Sequence, residues 1–247
     1  VIVRQGSSEG VQVRADDKLL PLVQTVVEGS GDARTLRIQY QPGESLRAKL
    51  SRTVIDLNRD PTGASLYPGQ ATTDLVPTST FDGEPIYSLG QAPDAAEITE
   101  RKRLFFEPYH AALAAEIARV KAGQGNVLLY DCHSIRSVIP RLFEGTLPVF
   151  NLGTNSGASC DPSLEARIAA ILASSDFTHV VNGRFKGGWI TRHYGRPAEN
   201  VHAVQMELAC RAYMRETPPF DYDEAAAAAT QVVLRRVLEQ VRSAPRR

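Results

Sequence analysis

The stretch "NVLLYDCHSIRS", Asn126 to Ser137, decides how the chain is read. Its apolar half, Val127 to Tyr130, has the length of a buried strand, and at Asp131 it breaks into Cys132, His133, Ser134 and Arg136. Short apolar runs cannot be told from helix by periodicity alone, so the flanks arbitrate. Upstream, Asp94 to Ala122 sets Phe106, Tyr109, Leu113, Ile117 and Val120 three and four apart, which predicts a helix that Pro108 kinks or splits. Downstream, Asp161-Pro162 has the form of a helix start, with Asp as cap and Pro at the first helical position. Thr53 to Leu57, Thr178 to Asn182 and Val201 to Met206 read as further strands. A last helix is expected from about Asp223 to Val241, with Leu234, Val237, Leu238 and Val241 on one face. Strands alternating with helices predict an α/β fold with a largely parallel sheet.

The first 50 residues are less regular, with weak strand signals at Leu19 to Val23 and Thr35 to Ile38. Between Asn58 and Pro93 lies "NRDPTGASLYPGQATTDLVPTSTFDGEPIYSLGQAP", turn signals throughout. Loops of that length in a compact domain are functional or disordered, and the interspersed Leu66, Tyr67, Phe81 and Tyr87 favour an ordered one packed on the body.

Composition narrows the function. With 28 Lys plus Arg against 28 Asp plus Glu, net charge attracts neither nucleic acid nor an anionic membrane, so any cationic site must be local. A hydrophobic content of 43% suffices for a proper core. Three cysteines, Cys132, Cys160 and Cys210, suit a reducing cytoplasm better than a disulfide framework. The sequence shows neither a signal-peptide pattern nor a bilayer-length apolar run. It begins at Val1 rather than Met, consistent with a natural start further upstream.

In α/β sheets ligands gather beyond the carboxyl ends of the strands. Three expected strands end in reactive residues: Asp56-Leu57-Asn58-Arg59, Asp131-Cys132-His133-Ser134 and Gln205-Met206-Glu207. Parallel neighbours would bring Arg59, His133 and Glu207 to one rim. A histidine there serves either as a metal ligand or as a hydrogen-bonded structural residue, and Glu207 either as a base or as a first-turn acid of a following helix. "VNGRFKGGWITRHYGRP", Val181 to Pro197, puts Arg184, Lys186, Arg192, His193 and Arg196 among four glycines with no acid nearby, the pattern of a loop that holds a small anion. His110, His179 and His202 read as structural. Cys132, adjacent to His133 on a strand, faces the other way.

Five segments, "VIDLNRDPTGASLYPGQATTDLVPTSTFDGEPIY", "LLYDCHSIRSVIPRLFEGTLP", "NLGTNSGASC", "NGRFKGGWITRHYGRP" and "VHAVQMELACRAYM", occur in this order between about Ser51 and Phe220. Together they resemble the N-formylglutamate amidohydrolases, or N-formylglutamate deformylases. The resemblance implies one amidohydrolase domain over residues 1–247, with a divergent first 50, and a mixed, largely parallel sheet sandwiched between helices, as in the zinc carboxypeptidases. It implies hydrolysis of N-formyl-L-glutamate to glutamate and formate in cytoplasmic histidine breakdown, with zinc as cofactor and a small dicarboxylate as substrate. Residue by residue, His133 would ligate zinc, Glu207 would be general base and acid, and Arg59 would polarise the carbonyl. Asn58, Arg136, Arg184, Lys186, Arg192 and His193 would bind substrate.

The family carries further metal ligands upstream, in a Pro-His-Gly type loop and in an acidic stretch ending in His. This chain has no histidine before His110, and only acids such as Asp16, Asp17, Glu28, Asp32 and Glu44 lie there. Two functions therefore stand side by side: a zinc-dependent deformylase, and a silent relative that keeps the dicarboxylate pocket without turnover.

Overall fold

The computed structural model describes residues 2–3, 13–14, 23–28, 35–40 and 50–242. The chain divides into two compact units, Val1–Leu50 and Ser51–Arg247. In the first, β1 (Ile2–Val3) pairs antiparallel with β2 (Val13–Arg14), and β3 (Val23–Glu28) with β4 (Thr35–Tyr40). The weak signal at Thr35 to Ile38 thus falls in β4. That at Leu19 to Val23 reaches β3 only through Val23, and its remainder lies outside the described residues.

The second unit carries one four-stranded sheet in the order β5-β8-β6-β7, formed by β5 (Val127–Ile135), β6 (Phe150–Gly153), β7 (His179–Val181) and β8 (Val201–Ala209). The pairs β5–β8 and β6–β7 are parallel and β6–β8 is antiparallel, so the α/β sheet is mixed with parallel pairs in the majority. β6 has no counterpart among the strands expected from sequence. It is only four residues long, buried at every position, and carries a polar Asn151 that breaks the apolar run. Asn151 is tolerated because its amide donates to the carbonyls of Pro148 (2.8 Å) and Glu207 (3.1 Å).

The predicted long helix is two helices, α1 (Ala95–Arg101) and α2 (Glu107–Gln124), joined by a π-helical turn at Lys102–Phe106. Proline has no N–H to return to the preceding turn, and the turn ahead of Pro108 widens accordingly, with Glu107 N–H donating to the Lys102 carbonyl. Asp161 caps α3 (Pro162–Ala173) through Ser163 N–H at 2.8 Å. The last helix, α5 (Glu224–Arg242), buries Ala227, Thr230, Val233 and the expected Val237, with the expected Leu234 packed against the same core, and leaves Leu238 43% exposed; the side chain of Val241 lies outside the described residues. β6, β8, α3 and α5 share a core that includes Phe150, Leu152, Ile168, Leu172, Met206 and Val237. Among the described residues no helix is long and apolar enough to cross a membrane.

Thr53 to Leu57 is not a strand. It runs through turns, with Val54 N–H bonded to the Ser51 carbonyl and Asp56 N–H to that of Leu75. Ile55 is buried, as a strand residue would be, but it lies in no strand ladder. That segment is ordered by turns and by its own side chains. Leu75 and Val76 are buried, Phe81 packs against Ile135, Ile139 and Leu147, and the Tyr87 hydroxyl accepts from Arg101 at 2.9 Å.

Candidate active site

Alternation along β8 sorts its residues. Val204 and Met206 enter the core beneath the sheet, whereas Gln205 and Glu207 turn to the other face. On the neighbouring parallel strand the register sets Asp131 beside Gln205 and His133 beside Glu207. Both strands run on past these residues, to Ile135 and Ala209, which disposes of Glu207 as a helix-start acid. The floor of the site is therefore two carboxylates, a histidine and an amide on one sheet face.

The Asn58 amide closes over that floor. Its Oδ1 accepts from Ile190 N–H at 2.7 Å, which turns Nδ2 toward Asp131 Oδ2 (3.0 Å) and His133 Nε2 (2.8 Å). His133 Nε2 is also 2.9 Å from Asp131 Oδ1. One ring nitrogen serves one of these at a time: protonated, it donates to Asp131; unprotonated, it accepts from Asn58. Burial alone would discharge the ring, but the Asp131 carboxylate, by charge and hydrogen bond, and then Glu207 outweigh burial and raise His133 to about 9. Burial pushes the Glu207 carboxyl above the usual range, against the opposing charges of His133, Arg52 and Arg59. Gln205 holds Glu207 in place, donating from Nε2 to Oε2 at 3.0 Å while its own oxygen accepts from Gly188 N–H at 2.7 Å.

Arginines form the rim. Arg59 donates to the Thr73 carbonyl (3.0 Å) and hydroxyl (2.7 Å) and lies 3.4 Å from Asp56, which Arg52 also binds at 2.8 Å. Burial opposes the Asp56 charge, yet these two guanidinium groups keep its carboxyl below the ordinary range. Arg184 reaches the cleft between the carbonyls of Leu142 (2.7 Å) and Ala71 (2.6 Å).

Of the residues expected from sequence, Asn58, Arg59, His133, Arg184 and Glu207 line one cleft. Arg59 arrives on a turn rather than a strand. Arg136, Lys186, Arg192 and His193 lie outside that lining. Arg136 is engaged by Asp82 at 2.7 Å, the Arg192 side chain bonds the Gly187 carbonyl at 2.9 Å, and His193 stacks on Trp189 at 4.7 Å. The anion-type loop contains a short helix, α4 (Trp189–Tyr194). Asp131, Gln205, Arg52 and Tyr67 enter the site without having been singled out. The alternation rule would have found the first two once His133 and Glu207 were chosen. Arg52 and Tyr67 carry no local signal.

A mixed α/β unit that sets a buried carboxylate opposite a histidine, under a rim of arginines, has the equipment of an amide hydrolase acting on an anionic substrate. The sequence relatives agree and narrow it. The chain belongs to the N-formylglutamate amidohydrolase family, whose family model matches residues 14–214. It is 52% identical over 198 residues to the N-formylglutamate deformylase of Pseudomonas aeruginosa, covering 80% of this chain and 74% of that one. Against the N-formylglutamate deformylase of Pseudomonas putida the identity is 52% over 193 residues, covering 78% and 72%. The crystal structure of N-formylglutamate amidohydrolase from Ralstonia eutropha JMP134 superposes with a TM-score of 0.62 at 25% identity, over 77% of this chain and 75% of that one.

Whether zinc fits this site is a matter of donors. Asp131 Oδ1 and His133 Nε2 converge, but among the described residues no group of three His, Cys, Asp or Glu is placed to hold a metal ion. Catalytic zinc sites ordinarily use three protein ligands with nitrogen prominent. Of the other four histidines, His110 Nε2 is hydrogen bonded to the Leu57 carbonyl (3.0 Å) and Nδ1 to the Tyr194 hydroxyl (2.9 Å). His202 accepts from Asp161 N–H, His193 stacks on Trp189, and His179 sits at the start of β7. Residues 1–49 contain neither His nor Cys. The donor set does not fit a nitrogen-rich zinc centre.

Proposed function

We propose that this chain hydrolyses the formyl amide bond of N-formyl-L-glutamate, giving L-glutamate and formate. The observation that carries the reading is Glu207: a buried carboxyl, raised by its surroundings, directly across the parallel pair from a cationic His133. A carboxylate whose burial raises its pKa is a stronger base, suited to taking a proton from water and giving it back. Glu207 removes a proton from a water molecule as its oxygen adds to the formyl carbon. The positive charges of His133 and Arg59 face the oxyanion that forms. Glu207 then returns the proton to the amide nitrogen as the C–N bond breaks. The arginine rim accounts for the substrate's carboxylates.

The missing zinc ligands favour a second reading, in which the cleft binds the acidic ligand and releases no formate. Formate release from N-formyl-L-glutamate, measured with and without added zinc, with a chelator, and in Glu207→Gln, decides between them. Turnover lost in Glu207→Gln supports the first reading. Calorimetric binding of N-formyl-L-glutamate with no formate above the blank supports the second.

A further inference from the structure

Besides Asn58 and the Ala71 carbonyl, the 58–93 segment reaches the glycine-rich basic loop through the Tyr67 side chain. The Tyr67 hydroxyl donates to the Gly187 carbonyl at 3.0 Å and accepts from Lys186 N–H at 3.1 Å. Arg192 Nε donates to that same Gly187 carbonyl at 2.9 Å. The guanidinium carbons of Arg184 and Arg192 both lie over the Tyr67 ring, 5.3 and 4.9 Å from its centroid. Gly187 holds φ +108 and a Cβ there would meet Thr191 at 2.8 Å, so this carbonyl cannot be presented the same way by another residue.

The charges around the ring are unusual in what they lack. Beside the cleft, Arg52 and Arg59 are paired with Asp56. Among the described residues Arg184 and Arg192 form no ion pair with a carboxylate, and the loop from Asn182 to Ala198 contains no acid. A ring face attracts a cation without neutralising it. An acid in the same place would cancel the charge; Tyr67 holds the guanidinium groups in position and leaves their charge for a ligand.

We infer that Tyr67 is a positioning residue that sets the preference of this cleft for an acidic over a neutral acyl amino acid, by fixing Arg184 and Arg192 beside it. The inference rests on the proposed dicarboxylate reading and deepens it. Tyr67 touches no reacting atom in this scheme, so its removal acts on recognition rather than on the chemical step.

The test compares Tyr67→Phe, which keeps the ring, and Tyr67→Leu, which removes both ring and hydroxyl, with N-formyl-L-glutamate and its neutral analogue N-formyl-L-glutamine. Tyr67→Leu is expected to raise KM for the acidic substrate roughly tenfold, the scale of a desolvated cation–ring contact, with kcat little changed and KM for the neutral analogue unmoved. Tyr67→Phe is expected to recover most of that loss. Equal losses on both substrates, or a fall in kcat alone, would overturn the inference in favour of a merely structural role. If the wild-type protein shows no turnover, the hydrolytic reading fails, and calorimetry with the same two compounds makes the same comparison. A preference for the acid that survives in Tyr67→Leu then overturns the inference by itself, as does wild-type protein that binds neither compound.

Discussion

His133 and Glu207 are register partners, one on each strand of the parallel pair β5–β8, with both side chains on the sheet face that carries the cleft. The two groups shape each other: Glu207 helps to keep the ring charged, and His133 opposes the upward push that burial gives the carboxyl. Replacing Glu207 by Gln keeps the shape and the hydrogen bond to Gln205 but removes the proton acceptor. Formate release is expected to fall by roughly 10²- to 10⁴-fold, the usual yield of a positioned acid–base group. Unchanged kcat in a correctly folded Glu207→Gln protein would remove Glu207 from the mechanism.

The donor set predicts that purified protein retains well below one zinc per chain, and that His133→Ala does not alter that content. Elemental analysis after dialysis measures it directly. One equivalent of zinc that disappears in His133→Ala would show that ligands outside the described residues complete the site.

Gly188 approaches Asn58 so closely that a Cβ would meet its carboxamide at 2.5 Å, and Asn58 is only 5% exposed. Gly188→Ala is therefore expected to displace the amide from Asp131 and His133, costing about 1–3 kcal/mol in stability, as overpacking does, together with ligand binding. Gly123, in α2, is the control, because a methyl group added there would meet nothing within 4 Å: Gly123→Ala should gain roughly 0.5–1 kcal/mol. Chemical denaturation of the two variants tests the contrast, which fails if both behave alike.

His110 supplies a pH dependence away from the cleft. Burial pulls its pKa from the ordinary 6.5 down to about 4, so the folded state holds the neutral ring bonded to Leu57 and Tyr194. Because the folded pKa lies below the unfolded one, the stabilisation is complete above about pH 6.5 and is lost as pH falls toward 4. Unfolding free energies of wild type and His110→Gln, compared between pH 7.5 and pH 4.5, should converge on acidification. A gap that is constant with pH would show that the ring's charge state does not matter.

Sequence pattern made the helices and the long strands legible, because both announce themselves within a dozen residues. The Asp161-Pro162 start and the stretch around His133 are local signals, and they hold. β6 was not legible, since four buried residues with an asparagine among them have no period to detect, and one of the carbonyls that takes the Asn151 amide N–H, that of Glu207, comes from the neighbouring strand. Thr53 to Leu57 misled for the converse reason: apolar β-branched residues are also buried in turns, as Ile55 is. At the site, charge pattern found the basic loop but could not say which cations face the cleft. Arg136 is drawn off by Asp82, 54 residues upstream in the chain. Tyr67 contacts its loop across 120 positions, a partnership that no window of sequence displays.

That separation divides the cleft by origin. Its floor is built by two adjoining strands of the sheet, while Asn58, Arg59, Tyr67 and Thr73 come from a stretch with no helix or strand of its own. The proposed recognition thus draws on this stretch together with Arg184 from the basic loop, whereas the floor belongs to the sheet. A single protease cut among the exposed residues 62–65 should leave the sheet and its helices folded and cooperative, yet free the Tyr67 wall proposed to set the ligand's charge preference. The fold can in this way survive the loss of its own selectivity.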